Sequence, residues 1–233
     1  LIVTPPSVEF KIVRNNDEEI VIRNPSKIEE YTDIKSIHER ICELDLLFPK
    51  EYLGSIMNLL NEKRGVQLDL NYLSTSMVKL KYRMPLLELV TGFYDSLKSI
   101  SQGFASLDYQ ILDFEPGNLV KLDILVNGTP IDSFSSMLAK ENAEFIGRSR
   151  VKKLAELIPR QQVDIPIQAA VGSRIIARET IKALRKDVTA KLYGGDITRK
   201  RKLLEKQKEG KKKMRNIGKV AVPKEAFKEF LKQ

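Results

Sequence analysis

The sequence predicts an α+β protein of two domains, the first with the element order βαββαβ and the second ending in a basic helical tail. Strand-like alternation of apolar residues is interleaved with stretches whose apolar residues recur at helical spacing. Charge divides the chain as well: residues 1–117 carry 13 Lys/Arg and 18 Asp/Glu, a net of −5, whereas residues 118–233 carry 27 and 13, a net of +14. We therefore expect the two halves to have different functions.

The N-terminal part is predicted to belong to a preceding domain. The chain opens at Leu1 without an initiator Met, so we expect it to be part of a longer protein. Ser7–Val13 alternates like a strand whose partner strands we expect upstream, and Glu18–Arg23 repeats the pattern. We assign residues 1–14 to the end of a preceding domain and residues 15–37 to a connector, because a turn signal and a polar run follow there.

Residues 38–116 supply the βαββαβ order. The predicted elements are a strand at Ile41–Phe48, a helix that Pro49 opens and Arg64-Gly65 ends, strands at Val66–Leu73 and Met77–Met84, a helix from Pro85 to Gly103, and a strand at Phe104–Phe114. In the Val66–Leu73 strand the alternate positions Val66, Leu68, Leu70 and Tyr72 share one face, as in a half-buried strand. This order predicts a ferredoxin-like domain.

Residues 117–233 form the second predicted α+β domain. Its predicted elements are a strand at Leu119–Val126, a hairpin turn at Asn127-Gly128, a returning segment at Pro130–Leu138, a helix at Lys140–Ile158, a strand at Val163–Val171 and a helix from about Thr180 to Leu192. Between the last two, the pattern leaves open whether Arg174–Ala177 is strand or helix. We expect a last helix after Pro223 to dock on its own domain, because Phe227, Phe230 and Leu231 lie together there.

A basic segment near the end of the chain is the feature that points to function. Between Arg185 and Arg215 there are thirteen basic residues and four acidic ones. Thr198–Glu209 has a helix-forming composition with only two strongly apolar residues, too few for a buried stripe. We favour a nucleic-acid partner, because Lys and Arg gain affinity by displacing counterions from phosphates. A solvated basic tail is the alternative.

The candidate RNA-binding residues share a positive charge, apart from one tyrosine that either stacks on a base or ends the core of the preceding helix. They are Arg174, Arg178, Lys182, Arg185, Lys186, Lys191, Tyr193, Arg199, Lys200, Arg201, Lys202, Lys206, Lys208, Lys211, Lys212, Lys213 and Arg215. In the first domain, which is net acidic, Lys63 and Arg64 at a helix end are the candidate contacts with RNA.

Other chemistries find little support in the sequence. Cys42 is the only cysteine and His38 the only histidine, which is too few for a zinc site or an intrachain disulfide. The acidic pairs at Glu18-Glu19 and Glu29-Glu30 lie in polar connectors, so we interpret them as solvated. No apolar run approaches the ~20 residues that cross a bilayer. We predict no catalytic residue and no metal site.

Several motifs resemble those of a known family. Pro49–Gly54, Glu62–Gly65 and Gly103–Tyr109 resemble the fifth domain of elongation factor G. In the second half, Leu157–Gln162, Ile167–Ala170, Ile175–Thr180, Ala183–Lys186 and Tyr193–Lys212 resemble the C-terminal domain of the LepA-type elongation factor, also called elongation factor 4. The resemblance covers essentially the whole chain.

The resemblance implies a region of a ribosome-bound GTPase that acts on elongating or stalled ribosomes and promotes back-translocation of tRNA. Its partners would be large-subunit ribosomal RNA and the tRNA acceptor arm. GTP and Mg²⁺ would bind an N-terminal domain, because this sequence has no Gly-x-x-x-x-Gly-Lys-Ser/Thr loop. This chain is accordingly expected to bind no cofactor and to lack GTPase activity.

Two other interpretations of the basic segment stay open. It would hold the protein on an anionic membrane surface at about 1 kcal/mol per Lys or Arg, and the resemblance implies a cytoplasmic protein that also lies peripherally on the inner membrane. Alternatively, it is a protein-interaction or solubility element. Nothing in the sequence indicates a homo-oligomer.

Overall fold

A computed structural model describes residues 8–28, 33–184, 189, 197–217 and 222–231. The chain divides between Leu119 and Val120 into two units, each built around its own antiparallel sheet with helices packed on it. The predicted fold class, a ferredoxin-like α+β domain followed by a second α+β domain, is confirmed.

The first unit is organised around one long strand, β3. Its elements are β1 (Phe10–Arg14), β2 (Glu19–Ile22), β3 (Ile34–Pro49), α1 (Leu53–Glu62), β4 (Val66–Tyr72), β5 (Met77–Pro85), α2 (Leu86–Glu88), α3 (Tyr94–Ile100) and β6 (Ser106–Gly117). The strands β6, β3, β5 and β4 lie side by side in that order, which is the ferredoxin-like arrangement. Alternate residues of β3 and β5, such as Leu44, Leu46 and Leu80, are buried beneath α1 and α3.

The N-terminal strands are the first correction to the sequence predictions. The partners of β1 are β2 and β3, both downstream in the chain, and not strands upstream. Residue Ile34, which we assigned to the connector, already begins β3. The first half of β3 is long enough to pair with β1 on one edge while β6 pairs along the other. The β1–β3 pairing joins positions as far apart as Phe10 and Glu39 and leaves no local signal, so the pattern of single strands could not reveal it.

Two further details of the first unit differ from the predictions. The helix predicted from Pro85 to Gly103 is broken, because Thr91 and Gly92 leave helical geometry and Gly92 adopts φ +75°. On β4, Val66, Leu68 and Tyr72 are exposed and only Leu70 packs on the core. β4 ends the sheet, and a bulge after Gln67 shifts its register, so its apolar residues do not share one covered face.

The second unit contains β7 (Leu119–Val126), β8 (Thr129–Pro130), β9 (Ser136–Ala139), α4 (Ala143–Leu157), β10 (Ile165–Val171), β11 (Arg174–Ile181), α5 (Ile197–Ile217) and α6 (Lys224–Leu231). The sheet order is β11-β10-β7-β8, and β9 also pairs with β7. The predicted turn at Asn127-Gly128 is confirmed. Its two residues have φ of 54° and 83°, the left-handed values that a tight two-residue hairpin requires.

The terminal helix α6 completes the core of this unit, as predicted. Ala226 and Phe230 are buried in the same cluster as Phe134. The Phe134 ring centroid lies 4.2 Å from that of Phe230 and 4.7 Å from that of Phe227. The α6 helix is therefore attached to the folded unit.

Two predicted elements of the second unit need correction. The returning segment Pro130–Leu138 is not one strand, because a short 3-10 turn at Asp132–Phe134 separates β8 from β9. Arg174–Ala177 is strand, and β11 continues to Ile181, so no helix begins at Thr180. Residues 182–184 and 189 are not helical either, and the remainder of that predicted helix, residues 185–188 and 190–192, lies outside the described part of the chain.

Candidate nucleic-acid interface

The basic segment contains a 21-residue helix, α5, as its composition predicts. Arg199, Arg201, Lys202, Lys206 and Lys208 are exposed on it, whereas Lys200 is half-buried. Ile197 and Leu204, also exposed, do not form an apolar stripe. Side chains are described as far as Gly210, so those of Lys211, Lys212, Lys213 and Arg215 lie outside the described structure although α5 includes these residues.

Helical geometry sorts the α5 side chains into rows. Lys200, Leu203 and Gln207 are the half-buried positions, and their spacing of three and four residues places them on one face. Arg199, Lys202 and Lys206 form a row to one side of that face, and Arg201 and Lys208 form a row to the other side. Between these rows lie Glu205 and Glu209.

The acidic residues of α5 neutralise little of its charge. Glu205 Oε1 lies 3.5 Å from Arg201 Nε, in a pair whose side chains are both more than half exposed. Such i,i+4 pairs are weak in water. The exposed side of α5 therefore presents two rows of cations to solvent.

The candidates on β11 do not form a single patch. Arg174, Arg178 and Lys182 are all exposed. Arg178 pairs across the strands with Gln168, and Arg174 with Val171, because a bulge between Ala169 and Ala170 shifts the register. The two partners, Gln168 and Val171, are three apart on the regular strand β10 and therefore point to opposite faces of the sheet. Arg178 and Arg174, which pair with them, lie on opposite faces as well. A strand without the bulge would have placed them on one face.

Lys63 and Arg64, the candidate contacts with ribosomal RNA, lie in an ion-pair cluster of the first unit. Arg64 donates two hydrogen bonds to the Glu39 carboxylate, at 2.7 and 3.1 Å, and one to Glu88 at 3.0 Å. Lys63 Nζ lies 3.7 Å from Glu88 Oε2 and donates to the carbonyl oxygen of Thr91 at 3.3 Å. Their charges are largely paired within the unit, and RNA binding by them stays a prediction.

The electrostatics of Arg64 agree with a structural role. Burial by itself would lower the pKa of its guanidinium, but the hydrogen bonds and charge of Glu39, together with Glu88, raise the pKa above its ordinary value. Glu39 is only 3% exposed. Arg64 therefore keeps its charge as the partner of a buried carboxylate.

The remaining candidates and the other reactive residues can be placed briefly. Arg185, Lys186, Lys191 and Tyr193 fall outside the described ranges. His38 lies in β3, where its Nε2 is 3.0 Å from Ser36 Oγ. Through residues 8–28, 33–184, 189, 197–217 and 222–231, no three His, Cys, Asp or Glu residues are grouped so that they could hold a metal ion. Over the same ranges, no helix has the length and apolar character needed to cross a membrane.

Sequence reasoning missed a set of exposed residues on α4. Phe145, Arg148 and Lys152 lie on its outer surface, on the same side of the helix. Val151, Leu154 and Ile158, which recur at helical spacing in the sequence, are buried, so their helical phase already placed Phe145 outward.

Comparison with known proteins bears on identity. A family model described as the elongation factor G C-terminus matches residues 36–125, and one described as the GTP-binding protein LepA C-terminus matches residues 126–232. A crystal structure of a protein from Thermus thermophilus is similar at 21% identity over 35% of this chain and 12% of that chain, with a TM-score of 0.33. The two family matches adjoin and together cover residues 36–232. The chain therefore belongs to the LepA-type translational GTPases, of which it is a C-terminal part.

Proposed function

We propose that this region binds RNA on the ribosome and holds the phosphate backbone of a tRNA acceptor arm with the cations of its second unit. The observation that carries the proposal is the pair of exposed cationic rows on α5, Arg199, Lys202 and Lys206 in one and Arg201 and Lys208 in the other. Cations that neutralise phosphates release condensed counterions, which drives binding without reading sequence. A factor that acts on every elongator tRNA needs contacts of this kind.

The charge pattern of the first unit supports the proposal that the cations of the second unit bind the RNA. On the sheet, Lys79 Nζ lies 3.3 Å from Asp45 and Lys81 Nζ lies 2.7 Å from Glu43, and Arg83 pairs with Glu115. Cations already paired with carboxylates attract phosphate weakly. We propose from the family that any contact of this unit with large-subunit ribosomal RNA is local. The candidates Lys63 and Arg64 are paired with carboxylates as well, so we expect this contact to be weak.

The wider role is proposed from the family. GTP and Mg²⁺ would bind a domain outside this sequence, and that domain would govern when the protein docks on the ribosome. Once docked, the C-terminal region would act by position, holding tRNA while the factor promotes back-translocation or rescues a stalled elongating ribosome.

The test is ribosome co-sedimentation across a salt titration. We compare the chain with a variant in which Arg199, Lys200, Arg201 and Lys202 are replaced by Ala. The variant should bind more weakly, and the slope of log affinity against log salt should fall by roughly one unit per lost phosphate contact. Substitution is better than truncation before α5, because truncation also removes α6 from the core.

A matched control removes the same formal charge from the first unit, by Lys11, Lys35, Lys50 and Lys98→Ala. We expect this control to keep the affinity and salt slope of the unchanged chain. Equal losses in both variants would mean that net charge, and not α5, drives binding. Unchanged binding by the α5 variant would exclude α5 as the interface.

Binding to a membrane surface depends on the same cations and is kept as the second candidate. Exposed Lys and Arg gain about 1 kcal/mol each near an anionic bilayer. Sedimentation with vesicles that contain an anionic phospholipid, with ribosomal RNA as competitor, separates the two. Binding to vesicles that RNA does not displace would favour the membrane.

A further inference from the structure

Phe145 on α4 has the most exposed aromatic ring among the described residues, at 79%. Ala143, Gly147, Val151 and Leu154 form the buried side of α4. That side is tight, since a Cβ added to Gly147 would lie 3.2 Å from the Ala169 Cβ. Phe145 is two residues from Gly147, about 200° around the helix, so its ring points away from the sheet.

The two flanks of α4 can be told apart by their contacts. Arg150 donates to the Ser136 hydroxyl on β9, so its flank faces the β9 side of the sheet. Arg148 lies about 200° from Arg150, on the flank over β11. Arg148 and Lys152 follow Phe145 by three and seven residues and are exposed beside it.

A third cation comes from the edge strand. Arg174 pairs across the strands with Val171, which packs on the core beneath α4, so Arg174 points to the α4 side of the sheet. A short connection returns the chain from α4 to the start of β10, which makes the two antiparallel. Because Gly147 lies over Ala169, the turn that carries Phe145 lies towards the end of the sheet where Arg174 begins β11.

Building on the proposed RNA-binding function, we infer that Phe145 is a stacking platform for an unpaired base, with Arg148 and Arg174 positioned for the flanking phosphates. Aromatic rings bind splayed-out bases of single-stranded RNA, whereas bases inside a duplex are already stacked. The ring stands among the charged residues Glu144, Arg148 and Lys152 and not in an apolar patch, which suits a nucleotide better than an apolar protein surface or a lipid.

Arg148 is available to such a ligand. Its Nη2 lies 2.8 Å from Glu144 Oε1, but both side chains of this pair are about 70% exposed. Exposed i,i+4 pairs are weak, so a phosphate can displace Glu144. Removing the Glu144 charge should therefore strengthen RNA binding, an effect that a purely structural role for Arg148 would not produce.

The absence of tryptophan from the sequence gives a direct readout of stacking. Phe145→Trp introduces a single tryptophan, whose fluorescence a short single-stranded oligoadenylate should quench and inorganic polyphosphate, an anion without bases, should not. The matched control is Phe104→Trp in the first unit, where the native ring is 65% exposed. No quenching at position 145, or equal quenching at both positions, would overturn the inference.

Affinity measurements by fluorescence anisotropy of labelled RNA complete the test. Phe145→Ala should weaken binding of the single strand roughly tenfold, in line with the loss of one stacked base, while Phe145→Tyr should restore it. Glu144→Gln should strengthen it, and Phe145→Ala should leave binding of a blunt RNA duplex unchanged.

The two proposals fail in distinguishable ways. If the chain binds RNA, loses that binding with the α5 cations, and shows neither quenching nor a Phe145→Ala effect, the stacking site is wrong and the proposed function stands. If the chain binds neither single strand, duplex nor ribosome, both are wrong.

Discussion

The Glu39 carboxylate shows how one residue of the first unit depends on others far away in sequence. It receives two hydrogen bonds from Arg64, and the backbone of Gly117 passes close to it. A Cβ on Gly117 would lie 2.5 Å from Glu39 Oε1, so a side chain at that position would have to displace the Glu39 carboxylate. None of these partners could be read from the sequence, because ion pairs between distant residues leave no periodic signal.

We predict that Arg64→Ala destabilises the first unit by about 3 kcal/mol, because it leaves a buried carboxylate without its partner. Urea denaturation of the variant and the unchanged chain measures the difference. Lys79→Ala, which removes one member of an exposed pair with Asp45, is the control and should have a much smaller effect. Similar losses in both variants would contradict the special role of Arg64.

Cys42 gives a prediction about reactivity. Its thiol is fully buried and donates to the Met84 carbonyl oxygen at 3.3 Å, and burial raises its pKa to about 11. Because a raised pKa favours the neutral thiol, only about one molecule in a thousand carries the reactive thiolate at about pH 8. A thiol reagent should label Cys42 only after denaturation. Rapid labelling of the native chain would show that the thiol is accessible.

Elements whose signals are local are the ones that the sequence predicts best. β7 occupies Leu119–Val126 as predicted, because its alternation ends at the Asn127-Gly128 turn. From the sequence alone β11 could not be distinguished from a helix, because Ile175, Ile176 and Ala177 suit either state. Its pairing with β10 determines that this segment is a strand. For the same reason the bulge that separates Arg174 from Arg178 had no signal in the sequence.

The α6 helix gives the prediction at the scale of an element. We expect Phe230→Ala to destabilise the second unit by about 3 kcal/mol, because it removes a buried ring that packs on Phe134. Phe227→Ala, at a half-buried position in the same helix, should cost less. Thermal or urea unfolding measures both, and equal small losses would mean that α6 contributes little to the core.

At the scale of the whole molecule, the contrast in charge between the halves predicts where RNA binds. The candidate site could be predicted in part, because a run of cations is visible in the sequence. The helix predicted at Thr198–Glu209 is confirmed by α5. The Phe145 surface depends on how α4 lies on β10 and β11, and a linear pattern does not contain that relation.

We also predict that the purified chain does not hydrolyse GTP, because it lacks a phosphate-binding loop of the Gly-x-x-x-x-Gly-Lys-Ser/Thr type. Phosphate release measured with and without ribosomes is the assay. Turnover that persists through purification and changes with substitutions in this chain would contradict the prediction.

Because α6 docks on the core of the second unit, the basic segment is held at both ends and is not a free tail. In chain order α5 lies between β11 and α6, and both belong to the second unit, so the cations stand on a segment fastened at its two ends. RNA that binds it restricts a chain whose path is already limited, which lowers the conformational entropy lost on binding. A single protease cut within α5 should therefore leave the terminal fragment held in place by the Phe134–Phe230 contact.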